Sequence, residues 1–184
     1  MRIISGTYKG KRLQAPKNLP VRPTTDMAKE GLFNILNNRY YFDELNVLDL
    51  FSGTGNIAYE FASRGSIDIT AVDAHFGCVK YIENTSKELH FPINAIKMDV
   101  FTYLEKTEDS FDLIFADPPY DMDVADFNKL KEITFERELL NPGGSLIIEH
   151  EKHTKLKEDE DFLENRKYGS SVFSFYTNDK EESE

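Results

Sequence analysis

At 184 residues, with 40% hydrophobic and 12% aromatic side chains, the chain has the size of one domain and is too apolar for intrinsic disorder. Its single cysteine, Cys78, excludes an internal disulfide. No apolar run approaches the roughly 20 residues of a spanning helix, so a cytoplasmic protein without membrane contact is expected.

Charge is unevenly spread. Residues 1–40 carry eight basic against two acidic side chains, +6, and the remainder 14 against 31, −17, within a net −11. A basic segment on an acidic body is the footprint of a polyanion-binding extension. In chain order, "RIISGTYKGKRLQAP" reads as a basic β-hairpin with Gly6 and Gly10 near its bend. "PKNLPVRPTTD" is a proline-punctuated connector. Thr25 or Asp26 caps a helix over roughly 26–38, with Ala28, Leu32, Ile35 and Leu36 on one face. Gly31 stands where a better helix former is expected.

From residue 46 strands and helices alternate. "NVLDLF", "DITAVDA", "NAIKMDV", "FDLIFAD" and "GGSLIIEH" read as strands, with helices over "GNIAYEFASRG", about 75–89 and about 124–139. Such alternation implies right-handed crossovers and a mostly parallel sheet. Runs near 162–168 and 171–177 around Gly169 suggest an antiparallel hairpin at the sheet edge. The end, "NDKEESE", reads as an acidic tail.

Ligands of parallel sheets lie beyond the carboxyl ends of the strands. Asp49, Asp73, Asp99 and Asp117 are expected at four such ends. In "DLFSGTGNIA", Gly53 and Gly55 join a strand to a helix, where bare backbone and free N–H groups meet a ligand. Asp73 lies 20 positions past Gly53, where an acid binding ribose belongs, so a nucleoside cofactor is expected. Asp49 would repel a pyrophosphate and attract a cationic amino-acid group, which favours S-adenosylmethionine over a dinucleotide.

The motifs "DLFSGTG", "AVDA", "MDVFTYL" and "DPPY" resemble those of class I S-adenosylmethionine-dependent methyltransferases. More narrowly, "RIISGTYKGKRLQAP", "RPTTDMAKEGLFNIL", "DLFSGTGNIAYEFASRG" and "FADPPYD" resemble the RsmD-type enzymes, which modify the exocyclic N2 of a guanine in 16S rRNA of the small subunit. That resemblance implies a Rossmann-like, seven-stranded α/β fold with helices on both faces. It also implies three parts: a basic hairpin and helix over 1–40, a catalytic domain over 41–178 and a tail over 179–184. The cofactor set is then Asp49, Phe51, Ser52, Gly53, Thr54 and Gly55, Asp73 with Ala74 at the ribose, Asp99 with Val100 at the adenine, and Asp117. RNA contacts are expected from Lys9, Lys11, Arg12, Arg22 and Thr24, and the partner is expected to be 16S rRNA within a small-subunit particle, met by a monomer.

The catalytic set is Asp117, Pro118, Pro119 and Tyr120. An exocyclic amine is a poor nucleophile, and its base must be unpaired to be reached. The Asp117 carboxylate and the Pro118 carbonyl accept the two amine hydrogens, Tyr120 stacks on the base, and the prolines stiffen the loop. No metal is required. His150 and His153 with Glu149 and Glu151 lack a third ligand partner, and Glu149 reads as a loop-fixing acid. The same four residues suit adenine N6 on DNA or RNA, and a protein glutamine amide less well. An NAD-dependent oxidoreductase is opposed by Asp49, and a catalytically dead RNA-binding module by the intact DPPY.

Overall fold

The computed structural model describes residues 1–179; of the acidic tail only Asp179 falls within them, and residues 180–184 lie outside. Five strands run parallel: β1 (Asn46–Leu50), β2 (Asp68–Asp73), β3 (Ile93–Lys97), β4 (Phe111–Ala116) and β5 (Leu140–Glu151). With β6 (Phe162–Tyr168) and β7 (Ser171–Thr177) they form one seven-stranded sheet in the order β3-β2-β1-β4-β5-β7-β6. Strand β7 is antiparallel to both neighbours, so the C-terminal hairpin is the sheet edge. The order reverses between β1 and β4, and a ligand crevice opens at such a switch point.

The central strands are buried on both faces, which is why they read as continuous apolar runs rather than alternating ones. Their side chains divide strictly by parity. Val47, Ile69, Leu113, Phe115 and Ile147 pack with α1 (Asp26–Arg39), α2 (Asn56–Ser63) and α3 (Phe76–Leu89). Leu48, Leu50, Val72, Ile114, Leu146 and Ile148 pack with α4 (Val100–Lys106) and α5 (Val124–Glu136) on the other face. Helix α4 gives no sequence signal because seven residues are too short to display a 3.6-residue period; Asp99 starts it by accepting from Thr102 N–H. The helix expected to reach 139 stops at Glu136, where Glu138 adopts φ 53° and Leu139 N–H turns back to the Thr134 carbonyl.

The expected N-terminal β-hairpin is hairpin-shaped but reduced to one bridge, Arg2 to Arg12. Ile3, Gly10 and Leu13 N–H bond across the hairpin, to the Lys11, Ile3 and Met1 carbonyls, while the donors nearer the bend go to α2. Ile4 and Ser5 N–H donate to Glu60, and Thr7 N–H to the Ser63 carbonyl. Gly6 makes this approach possible: at φ 86° it sits where an added Cβ would lie 1.8 Å from the Ser63 carbonyl oxygen. Residues 1–40 do not stand apart, since Ile3, Leu13, Ala28, Leu32, Phe33 and Leu36 share one core with the sheet. The fully buried Lys29 links the parts by donating to the Arg2 carbonyl and to Asn56 Oδ1, 3.6 Å from the Glu60 carboxylate.

Candidate active site

A cleft of about 430 Å³ opens at the carboxyl ends of β1, β2 and β4, within the range of small-molecule sites. Its floor is Asp49, 2% exposed. Burial pushes this carboxyl up to about 8, with the nearby Asp73 adding to the rise and the Ala58 N–H opposing it. Among the described residues its Oδ2 has no hydrogen-bond partner. A buried, unsatisfied carboxyl oxygen is costly, and a cationic group placed against it removes the cost. The α-ammonium of S-adenosylmethionine is such a group.

The turn after β1 is tight. Phe51 takes φ 54°, a left-handed conformation uncommon outside glycine, and Gly53 follows at φ 53°. Asp73, at the end of β2, fixes the turn by accepting from Gly53 N–H at 2.9 Å and from His75 N–H at 2.8 Å. Phe51, Ser52, Gly53, Thr54, Asp73, Ala74, Asp99 and Val100 all line the cleft. Asp99 lies two residues past the end of β3, as the cap of α4, rather than on the strand. Gly55 stands back from the wall as the left-handed cap of α2, where a Cβ would meet the Tyr59 ring at 2.7 Å.

Asp117 follows the last residue of β4, and Pro118, Pro119 and Tyr120 carry the wall outward; Pro118 is buried and Tyr120 is 55% exposed. Burial, then the nearby Glu149 and Asp49, hold the Asp117 carboxyl well above the usual range, with Arg22 opposing. It is therefore a stronger base than the ordinary carboxylate its sequence context suggests.

A second, narrower cavity of about 70 Å³ lies on the other side of the same four residues, bounded by Glu149, Phe127, His150 and Ser171. Glu149, read from sequence as a loop-fixing acid at its strand end, lies two residues before the end of β5. It is buried and accepts from Thr24 Oγ1 at 2.6 Å. His150 bonds Ser174 and the Glu151 carbonyl, and among the described residues no group of three or more His, Cys, Asp or Glu is placed to hold a metal.

Arg22, Pro23 and Thr24 of the connector border both cavities, and Pro20 and Val21 the cleft alone. Arg22 lies over the Tyr120 ring, 4.6 Å from its centroid. Thr24, expected at an RNA surface, is buried: its hydroxyl goes to Glu149 and its carbonyl accepts from Asn56 Nδ2. It therefore anchors the connector. Lys9 and Arg12 are exposed and Lys11 half-buried, with no ion pair among the described residues.

A cation-seeking carboxyl under a glycine turn, an acidic tip on each neighbouring strand and an Asp-Pro-Pro-Tyr wall between two cavities define a class I S-adenosylmethionine-dependent methyltransferase. The protein-family model described as conserved hypothetical protein 95 matches residues 1–177, and the chain belongs to that family. Among curated proteins it is 35% identical to YlbH of Bacillus subtilis, covering 86% of each chain. It is 27% identical to ribosomal RNA small subunit methyltransferase D of Haemophilus influenzae, covering 97% of this chain and 94% of the relative. A hypothetical protein of Thermus thermophilus shares the fold, with a TM-score of 0.83 at 24% identity, covering 96% of this chain and 99% of that one.

Proposed function

We propose that this protein transfers a methyl group from S-adenosylmethionine to the exocyclic N2 of a guanine in small-subunit ribosomal RNA. It does so as a cytoplasmic monomer that meets the RNA in a small-subunit particle. The observation that carries the reading is the double-sided wall: Asp117 and Pro118 border both the cleft above Asp49 and the cavity beneath Tyr120. An amine held at that wall lies between the cleft that suits the cofactor and the narrower cavity beside Glu149.

Bound in the cleft, S-adenosylmethionine supplies a methyl group already activated by its sulfonium. Asp49 and the turn at Ser52–Thr54 hold its amino-acid end, Asp73 its ribose hydroxyls, and Asp99 with Val100 its adenine. Asp117 and the Pro118 carbonyl accept the two hydrogens of the base amine, which localises its lone pair on nitrogen and aims it at the cleft. As nitrogen gains positive charge, the raised basicity of Asp117 suits it to take the released proton. Tyr120 offers an exposed ring face to the extruded base, a contact worth about 1–3 kcal/mol in single-strand sites.

The test is incubation with labelled S-adenosylmethionine and naked rRNA, small-subunit particles or DNA, followed by nucleoside analysis. Label in N2-methylguanosine from rRNA or particles is expected; label in N6-methyladenosine or in protein selects a rival. Asp117→Ala should lower transfer by about a hundredfold or more, with cofactor affinity retained. Near-normal turnover of that variant would remove the mechanism.

A further inference from the structure

Resting on the guanine reading, the geometry points to Glu149 as a specificity-determining residue that accepts the N1–H of the target guanine while Asp117 holds the N2 amine. The two acids are side by side: Ala116 pairs with Ile148 in the β4–β5 register, and Asp117 and Glu149 follow on each strand. Both line the narrow cavity beside Tyr120. The Thr24 hydroxyl donates to the Glu149 carboxylate at 2.6 Å, and Ser171 lines the same cavity. A carboxylate has about four acceptor positions, so acceptor capacity remains after that bond.

The chemistry of the base edges makes this pair selective. Guanine presents adjacent donors, N1–H and N2–H₂, and two neighbouring carboxylates, once ionised, can only accept. Adenine and 2-aminopurine present an amine beside an unprotonated ring nitrogen at N1. That lone pair would face the Glu149 oxygen, and acceptor against acceptor in a buried site is repulsive. Burial raises both carboxyls, and at Asp117 the like charge of Glu149 adds to the rise. Arrival of two adjacent donors relieves that repulsion, whereas adenine supplies one.

Substrate RNA carrying 2-aminopurine at the methylated position keeps the 2-amine and removes only the N1–H and O6. The wild-type protein should methylate it about tenfold to a hundredfold less efficiently than guanine, the range one well-placed base contact supplies. Glu149→Gln preserves the bond from Thr24 and presents an amide N–H₂ to N1. It should lose at least tenfold on guanine, chiefly in KM, while closing or reversing the gap to 2-aminopurine, with S-adenosylhomocysteine affinity unchanged as the check on folding. Equal use of both bases by the wild type overturns the inference. So does a Glu149→Gln protein that keeps the full preference for guanine, since N1 is then read elsewhere. Transfer to neither base overturns the guanine reading itself, and this inference with it.

Discussion

Asp49 shows how a single residue ties stability to binding. Its native carboxyl titrates near 8, against an ordinary 3.8, because burial outweighs its one backbone donor. The folded state therefore holds that proton more tightly than the unfolded chain. Stability contributed by this group is full below about pH 4 and is lost as pH rises through 8. Asp49→Asn removes the penalty of charging a buried group, so at pH 8 the ligand-free variant should melt several degrees higher than wild type in differential scanning calorimetry. The same variant should bind S-adenosylmethionine at least tenfold more weakly. Because a cationic ligand needs the ionised form, wild-type binding at pH 7 should release close to one proton. Titration calorimetry in buffers of different ionisation enthalpy reads that release directly, and Asp49→Asn should abolish it. An unchanged proton count would mean that the ammonium lies elsewhere.

Among the elements, α1 carries the most instructive mismatch between sequence and structure. Gly31 disfavours a helix, yet it sits in the middle of one because the Tyr168 ring of β6 lies against its backbone, where an added Cβ would come within 2.2 Å. Gly31→Ala gains helix propensity of about 1 kcal/mol but must displace Tyr168. The net outcome should be a lower denaturation midpoint, restored by the paired change Tyr168→Ala. Such a contact couples residues 137 positions apart, and a helical window holds no trace of it. The strands were legible for the opposite reason: burial on both faces leaves a continuous apolar run whatever the neighbours are. The acids Asp49, Asp73 and Asp117 stood out because each interrupts or closes such a run. Thr24 and Glu149 were assigned different tasks from sequence, and only the sheet order brings β5 close enough to show that they are bonded. The short bridge of the N-terminal segment was illegible because the donors of Ile4, Ser5 and Tyr8 go to Glu60 and Ser63, more than 50 residues away.

At the scale of the molecule, the +6 of residues 1–40 overstates what an RNA meets. Lys29 is buried beside Glu60, Arg39 pairs with Glu164, and Arg2 pairs with Asp26. Lys9, Lys11, Arg12, Lys17 and Arg22 remain without an ion pair among the described residues, on a chain whose other 144 residues carry −17. Long-range attraction to RNA is then concentrated on a few side chains, while the acidic remainder repels the phosphates and so orients the encounter. Each phosphate contact displaces counterions, so the logarithm of affinity should fall linearly with the logarithm of salt, by about 0.7 per contact on single strands. Replacing Lys9, Lys11 and Arg12 together with glutamine should flatten the slope by about 2 if all three touch phosphate. Binding of S-adenosylhomocysteine should not move, because none of the three borders the cleft. Fluorescence anisotropy of labelled rRNA across a salt series measures both slopes. Parallel lines for wild type and variant would confine RNA contact to the catalytic face, leaving Arg22 as the cation that meets the substrate there.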